Sequence, residues 1–311
     1  MKKATAHESR DQANDYEVRA AASEGNCNVT TAQGEGKYDL TYISFGAGVQ
    51  STALLACSAL GLHGVPKADA AIFMDLQAEP DYVYKHVEFM TKWSGDHGIP
   101  LHVLTAGSLE KNLLRTEMAR KSGFQVSIPA FTSTDPNGGL LRRQCTTHYK
   151  IEPIRKWVRE KLGLKPKMRA AGKFMVRAMI GISVDEIMRV KPSGKAWIMN
   201  NYPLVDARLN RRDCQRITEE AGLPKAGKSS CIFCPYHSNS YWQEMKTFRP
   251  EEFQRAVEVD RSIRDSTSKG AKEPCYLHRS RQPLDQVEFT DPKQTELFGG
   301  FLNECEGMCG V

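Results

Sequence analysis

Several features are missing from this 311-residue sequence, and each absence excludes a class of protein. No apolar run approaches the length needed to span a bilayer, so no membrane partner is expected. The first residues, Met1 to Glu8, lack the apolar stretch of a secretory signal, so we expect a cytoplasmic protein. No internal repeat and no extended low-complexity tract is present, which argues against a repeat array. A globular intracellular protein remains.

The net charge is only +6, but the basic residues are unevenly distributed. A solvated helix face and loop would account for the densest run. A surface for a polyanion such as DNA or tRNA would also account for it, and both interpretations stay open. The run, opposed only by Glu160, consists of Arg155, Lys156, Arg159, Lys161, Lys165, Lys167, Arg169, Lys173 and Arg177.

Apolar strand-like runs alternate with segments of helical periodicity from residue 38 onward. The pattern predicts strands at 40–43, 70–75, 101–105 and 173–182, with helices at 52–60, 81–93, 108–122, 186–190 and 213–221. Asp185 and Glu186 would cap the helix at 186–190. Such alternation is typical of a parallel sheet covered on both faces, an α/β fold. Ligands of these folds bind outside the carboxyl ends of the strands.

A Ser/Gly loop separates the first predicted strand from the first predicted helix, in the stretch Tyr42-Ile-Ser-Phe-Gly-Ala-Gly-Val-Gln-Ser-Thr52. Small residues let the backbone approach an anion closely. The helix start offers N–H groups and the positive end of a dipole. We therefore predict a phosphate-binding turn here.

This stretch resembles the PP-loop, Ser-Gly-Gly-x-Asp-Ser, of enzymes that act at the α-phosphate of an adenine nucleotide. The resemblance implies a Rossmann-like (HUP-type) PP-loop domain that binds ATP, or a related nucleotide, with Mg²⁺. The loop is longer here, and Gln50 stands where the family usually has Asp. Nucleotide-binding residues implied or suggested by position are Ser44, Phe45, Gly46, Gly48, Gln50, Ser51, Asp75, Gly181 and Asp185.

Two further segments are similar to the phosphoadenylylsulfate (PAPS) reductase group of that superfamily, which includes DNA phosphorothioation and tRNA thiolation enzymes. Asp75, Glu79 and Pro80 match loosely, and 145–153 resembles the Cys-Thr-x-x-x-Lys-Ile-x-Pro element. The second segment places Cys145 among Arg142, Arg143, His148 and Lys150, and positive neighbours favour the thiolate. An inert buried cysteine is the alternative.

Nine cysteines in a chain without a secretory signal favour metal or redox chemistry over disulfides. Cys231 and Cys234 form one closely spaced pair, and Cys305 and Cys309 form another. Two assignments remain open. Structural zinc would use both pairs and leave Cys145 free. The family resemblance favours a 4Fe-4S cluster on Cys145, Cys231, Cys234 and a fourth cysteine, for which Cys309 is preferred over Cys214 and Cys305; we treat Cys27, Cys57 and Cys275 as incidental.

These patterns predict three regions. Residues 1–37 form a mobile arm, 38–200 the PP-loop domain, and 201–311 a mostly helical, cysteine-rich part that completes the site. Within the last region, 247–266 reads as an amphipathic helix with Phe248, Phe253, Ala256 and Val257 facing inward. Residues 124–139 read as a loop that would serve as a lid.

Three functions are consistent with the sequence. The first is an ATP-dependent sulfur-transfer enzyme that adenylylates an acceptor, with Arg142, Arg143 and Lys150 offsetting charge at phosphorus. It would use a nucleic-acid or small-molecule acceptor and a sulfur donor protein. The second is a PAPS reductase with Cys305 as nucleophile and a thioredoxin-like reductant. The third is a non-catalytic, zinc-stabilised module that binds nucleotide or nucleic acid.

Overall fold

A computed structural model describes residues 38–114, 127–132, 139–264 and 273–289 of the chain. The predicted N-terminal arm, Cys305 and Cys309 lie outside these residues. So do residues 115–122 of the helix predicted at 108–122. None of the helices in the described ranges is long and apolar enough to cross a membrane.

A five-stranded parallel sheet forms the centre of the molecule, in the order β3-β2-β1-β5-β6, so the predicted α/β fold is confirmed. A separate antiparallel pair, β4 with β7, includes part of the loop predicted at 124–139. The strands are β1 (Leu40–Ser44), β2 (Ala70–Asp75), β3 (Leu101–Thr105), β4 (Phe131–Thr132), β5 (Val176–Ile180), β6 (Ile198–Asn201) and β7 (Cys275–Tyr276).

Helices cover both faces of the sheet, as a parallel sheet requires. They are α1 (Val49–Leu60), α2 (Asp81–Asp96), α3 (Leu109–Leu114), α4 (Glu152–Lys161), α5 (Pro203–Asp206), α6 (Arg211–Glu220), α7 (Asn239–Phe248) and α8 (Pro250–Arg264). A π-helical turn, Thr147–Ile151, leads into α4. The segment predicted as a helix at 186–190 is a 3₁₀ helix, Val184–Arg189.

Alternate residues of the strands pack into two separate hydrophobic clusters. Ile43 and Met179 pack with the apolar residues of α1, α2 and α6 on one face. Tyr42 and Ala178 pack with those of α3, α4, α7 and α8 on the other. Because successive side chains of a strand point to opposite faces of the sheet, the position of a residue in its strand fixes the face on which it packs. In the text below these are the α1 face and the α4 face.

The amphipathic helix predicted at 247–266 is confirmed over Pro250–Arg264, but its predicted start at residue 247 is wrong. The chain forms two helices, α7 and α8, separated at Arg249, whose φ of −138° is not helical. Pro250 follows, and the residue before a proline is biased away from helical geometry. Because the break turns the chain, Phe248 is 77% exposed rather than inward, whereas Phe253, Ala256 and Val257 are buried as predicted.

We predict that two large side chains of α7 contribute very differently to stability. Trp242 is fully buried and stacks on Phe289 at 6.4 Å between ring centroids, so Trp242→Ala should cost about 3–5 kcal/mol of unfolding free energy. The exposed Phe248 is the matched control, and Phe248→Ser should change stability by less than about 0.5 kcal/mol. Urea denaturation measures both. Equal losses would contradict the break between α7 and α8.

Candidate functional site

The turn between β1 and α1 lies at the carboxyl edge of the sheet, where the sequence predicts a phosphate. Ala47 adopts a left-handed φ of 58°, and Gly48 begins α1 with no side-chain cap. The first N–H groups of a helix have no intrahelical partner, so they are donors for an anion. Within the turn, Ser51 Oγ accepts from the Gly48 N–H at 3.2 Å. The Ser44 hydroxyl, 1% exposed, has no partner among the described residues.

Strand order places this turn at a switch point of the sheet. From β1 the chain proceeds to β2 and β3 on one side, and later to β5 and β6 on the other. The loops after β1 and β5 therefore diverge from adjacent strands, and doubly wound folds bind ligands in such a crevice. The predicted site residues Ser44 and Gly181 end or follow these two strands.

Gly181 makes the closest approach to the turn. A Cβ built on this residue would lie 2.8 Å from both Cα and N of Ser51, closer than non-bonded atoms can approach. Both contacting atoms belong to backbone at the start of α1, so neither can rotate away. The exit of β5 is thus pressed against the first turn of α1, which no residue with a side chain permits.

Buried polar side chains surround the turn on the β5 side. Gln50, 2% exposed, donates from Nε2 to Glu186 Oε2 at 3.3 Å and accepts on Oε1 from Arg211 Nη1 at 3.2 Å. Glu186, 4% exposed, also forms an ion pair with Arg189. Sequence reasoning considered Glu186 only as a helix-capping acid and did not single out either arginine. Only the fold brings these four residues together.

The two predicted carboxylates at the strand ends hold backbone turns. Asp75, at the end of β2, accepts on Oδ1 from the Gln77 N–H at 2.7 Å and from the Tyr84 hydroxyl at 3.0 Å. Asp185 Oδ2 accepts from the backbone N–H of Arg211, the first residue of α6, and from the Ser183 hydroxyl. Asp185 therefore ties the loop after β5 to α6.

His86 supports the turn from beneath, on α2. Thr52 donates its hydroxyl to the Gly48 carbonyl at 2.8 Å, so it accepts from His86 Nε2–H at 2.9 Å. This leaves Nδ1 unprotonated, and Nδ1 has no partner within the described ranges. Burial lowers the pKa of His86 to about 4, so the ring is neutral near pH 7. No sequence signal marked this residue beyond its place on a helix.

A cleft on the β2 side of the turn brings together three cysteines that are distant in sequence. Cys145, Cys231 and Cys234 all line it, with Arg143, Lys150 and the apolar residues Leu76, Leu109, Ile128 and Phe233. The Cys231–Cys234 turn is tied to the exit of β2, because Ile232 donates its N–H to the Ala78 carbonyl at 2.8 Å. This cleft, the cysteine cleft, therefore lies at the same edge of the sheet as the turn.

Glu79 lies beside this cleft, next to Cys231, and the sequence marked it only as a loose family match. It is 2% exposed, its Oε1 lies 3.9 Å from Cys231 Sγ, and its Oε2 has no partner among the described residues. Burial raises the pKa of Glu79, and nearby Lys150 opposes that rise. Burial and then Glu79 raise the pKa of the Cys231 thiol well above its usual range, with Lys150 again opposing. For Cys231, desolvation outweighs the neighbouring positive charge.

The predicted cationic residues are arranged around the cleft in different ways. Arg143 stacks its guanidinium on the Tyr236 ring at 4.5 Å. Lys150 lines the cleft, and its positive charge opposes the rise in the pKa of Glu79. Arg142 is exposed. Lys225 and Lys228 follow later in the chain. Lys228 Nζ lies over the Tyr241 ring, 5.3 Å from its centroid.

Cys214, considered above as a fourth ligand, cannot join the cleft. It is fully buried on α6 in the α1-face cluster, on the opposite side of the sheet. Burial and then nearby Cys57 raise its pKa to about 12. Cys275 is also fully buried. In the part of the chain that the structure describes, no three His, Cys, Asp or Glu side chains stand in ready metal-binding geometry.

Much of the basic run lies away from the candidate site. Lys165, Lys167, Arg169 and Lys173 are exposed, and they precede β5, at the amino edge of the sheet. Several arginines of the run have structural partners: Arg155 donates to the Ser193 carbonyl at 2.7 Å and Arg159 to the Met168 carbonyl at 2.7 Å. A polyanion bound at the amino edge would lie a full strand length from the turn.

No known protein family profile matches the chain, and no curated protein matches it either. Among solved structures it is similar to the U34-tRNA thiolase NcsA from Methanococcus maripaludis with its 4Fe-4S cluster. The match covers 88% of this chain and 82% of that one, at 13% identity and a TM-score of 0.35. A likeness of this degree identifies neither family nor activity, so the α/β fold rests on the observed strand order.

We predict that Gly181→Ala will destabilise the protein by about 2–3 kcal/mol, because its Cβ overlaps the Ser51 backbone. Gly95→Ala is the matched control. Gly95 lies in α2 with no atom within 4 Å of a built Cβ, so this change should stabilise the helix by up to about 1 kcal/mol. Chemical denaturation tests both. A neutral Gly181→Ala would contradict the close approach.

We also predict that acid weakens the fold through His86. Its pKa in the folded state is about 4, below the ordinary 6.5, so its contribution is complete above pH 6.5 and is lost as the pH falls towards 4. The full loss is about 3 kcal/mol. His86→Gln can still donate to Thr52 but does not titrate, so its unfolding free energy should fall less between pH 7 and pH 4.5. Some dependence of the unfolding free energy on pH should remain in this variant, because burial also lowers the pKa of His278 to about 4. Identical slopes would contradict the assignment.

Proposed function

We propose that this protein is an adenine-nucleotide-dependent sulfur-transfer enzyme. An acceptor oxygen would attack the α-phosphate of ATP and release pyrophosphate. A sulfur nucleophile would then displace AMP from the adenylylated acceptor. The observation that carries the proposal is the convergence of Cys145, Cys231 and Cys234 beside the turn, at one edge of the sheet.

The geometry of the turn supports a phosphate ligand. Its donors are the N–H groups at the start of α1 and the Ser44 hydroxyl, which has no partner within the described ranges. Both lie in a buried environment, where hydrogen bonds to charge are strong. Gly181 lets the exit of β5 close one wall. Lys150 and Arg143, which line the adjacent cleft, would offset negative charge that develops at phosphorus. Arg142 and Mg²⁺ would assist.

The donor set of the cysteine cleft fits an iron–sulfur cluster better than the zinc alternative. Zinc on Cys231, Cys234, Cys305 and Cys309 leaves Cys145 unused, yet Cys145 lines the same cleft. Thiolates are the usual ligands of such clusters. We propose Cys145, Cys231 and Cys234 as three ligands and Cys309 as the fourth. When bound, the cluster would carry or position the sulfur, while Glu79 and Lys150 set the charge around Cys231.

The acceptor would be a nucleic acid or a small molecule, and a donor protein would supply sulfur. A nucleic acid has to reach the carboxyl edge of the sheet, where Arg142, Arg208 and Arg212 are exposed. The exposed lysines of the amino edge would contact only a longer polyanion that wraps the domain.

We predict that protein purified without oxygen contains iron and sulfide, and that single replacement of Cys145, Cys231 or Cys234 by serine removes most of both. Cys214→Ser is the matched control, because Cys214 lies on the opposite face and should leave the iron content unchanged. Metal analysis and visible absorbance measure the outcome. Zinc that survives Cys145→Ser would instead support the structural-zinc assignment.

The nucleotide is tested on the same protein by calorimetry with ATP and magnesium against PAPS. Preferential binding of ATP supports adenylylation. Preferential binding of PAPS would overturn it in favour of the reductase, with Cys305 as the residue to replace. Binding of nucleotide without any turnover of ATP or PAPS across nucleic-acid acceptors and thiol reductants would support the non-catalytic module.

A further inference from the structure

A carboxylate contacts the phosphate turn, but it comes from a different part of the chain than the PP-loop pattern implies. Position 50 is Gln, and its amide Nε2 lies 3.3 Å from the carboxylate of Glu186. Both side chains are buried, at 2% and 4% exposure. Glu186 follows β5, 136 positions along the chain, and forms an ion pair with Arg189.

An acid at position 50 would disturb the contact with Glu186. Its carboxylate could not donate to Glu186, and two carboxylates would meet in a buried site, where like charges strongly disfavour each other. The Gln50 amide satisfies both neighbours instead, since Nε2 donates to Glu186 and Oε1 accepts from Arg211 Nη1 at 3.2 Å. The neutral residue at 50 and the acid at 186 thus depend on each other.

The segment that carries Glu186 is fixed against the turn at several points. Gly181 contacts the backbone of Ser51, and Val184 donates its N–H to the Leu209 carbonyl at 3.0 Å. Asp185 accepts from the N–H of Arg211. These contacts hold the 3₁₀ helix, the start of α6 and the start of α1 in one arrangement, so the side chains of Glu186 and Arg211 reach Gln50 without freedom to drift.

We propose that Glu186 supplies the carboxylate of the phosphate turn, and that Gln50 and Glu186 act as a pair of positioning residues. Through Glu186 the pair holds Arg189, and through Gln50 it holds Arg211, beside the donors of α1. The ligand that this arrangement recognises is a polyphosphate chain. The proposal rests on the proposed function in that the natural polyphosphate is that of the adenine nucleotide.

A charge exchange tests the pair. Gln50→Glu brings two carboxylates together, Glu186→Gln removes a carboxylate that contacts Arg189, and the double variant restores one acid and one amide. Glu219→Gln, on the exposed side of α6, is the matched control. Thermal unfolding measures how much the Gln50–Glu186 contact contributes to stability. Calorimetry with ATP and with inorganic tripolyphosphate measures how much it contributes to ligand affinity.

Each single variant should unfold at least about 4 °C lower and bind ATP at least about tenfold more weakly. Gln50→Glu replaces the hydrogen bond from Nε2 to Glu186 with two facing carboxylates, and Glu186→Gln removes a buried carboxylate that contacts Arg189. The double variant should recover to within about 2 °C and about threefold of the unchanged protein, because energies of contacting residues are not additive. Glu219→Gln should match the unchanged protein in both measurements.

Other outcomes distinguish a failure of the Gln50–Glu186 proposal from a failure of the proposed function. Binding of tripolyphosphate with this pattern, but no binding of ATP, would overturn the nucleotide function and leave the pair in place. Recovery of stability in the double variant without recovery of binding would overturn the positioning role. Gln50→Glu that matches the unchanged protein in both measurements would overturn the pair, and a protein that binds neither ligand would overturn both proposals.

Discussion

The contact on which the candidate site depends is that between Gly181 and the backbone of Ser51. It brings the exit of β5 against the first turn of α1 at a distance that excludes any Cβ. Because of this contact, the residues that follow β5 reach the turn between β1 and α1, and Glu186 comes within 3.3 Å of Gln50. The site therefore forms because β1 and β5, which are far apart in sequence, are adjacent parallel strands of the sheet.

The turn occupies the middle of a row along the carboxyl edge of the sheet. On the β5 side lie Gln50, Glu186, Arg189 and Arg211, and on the β2 side lies the cysteine cleft with Glu79 and Lys150. Neighbouring strands are about 5 Å apart, so a ligand at the turn would be close to both groups. This arrangement gives a basic, hydrogen-bonding side suited to phosphate and a thiol side suited to metal or sulfur.

The cleft also illustrates how burial and charge compete. Lys150 lowers the pKa of the Cys231 thiol, as neighbouring positive charge was expected to do for Cys145, but desolvation and the Glu79 carboxylate prevail. The same desolvation keeps His86 neutral beneath the turn. The charge state of such groups follows from their depth in the fold, which the identity of their sequence neighbours does not reveal.

The sequence alone determined the parallel α/β architecture, because apolar runs and helical periodicity are local, and it located the turn and the three cysteines of the cleft. It did not determine the break at Arg249, where a proline interrupts an otherwise continuous pattern and leaves Phe248 exposed. It also did not reveal Glu79 or Glu186 as site residues, or exclude Cys214. Those outcomes depend on which face of the sheet a residue occupies and on which strand ends are neighbours, and only the tertiary structure decides either.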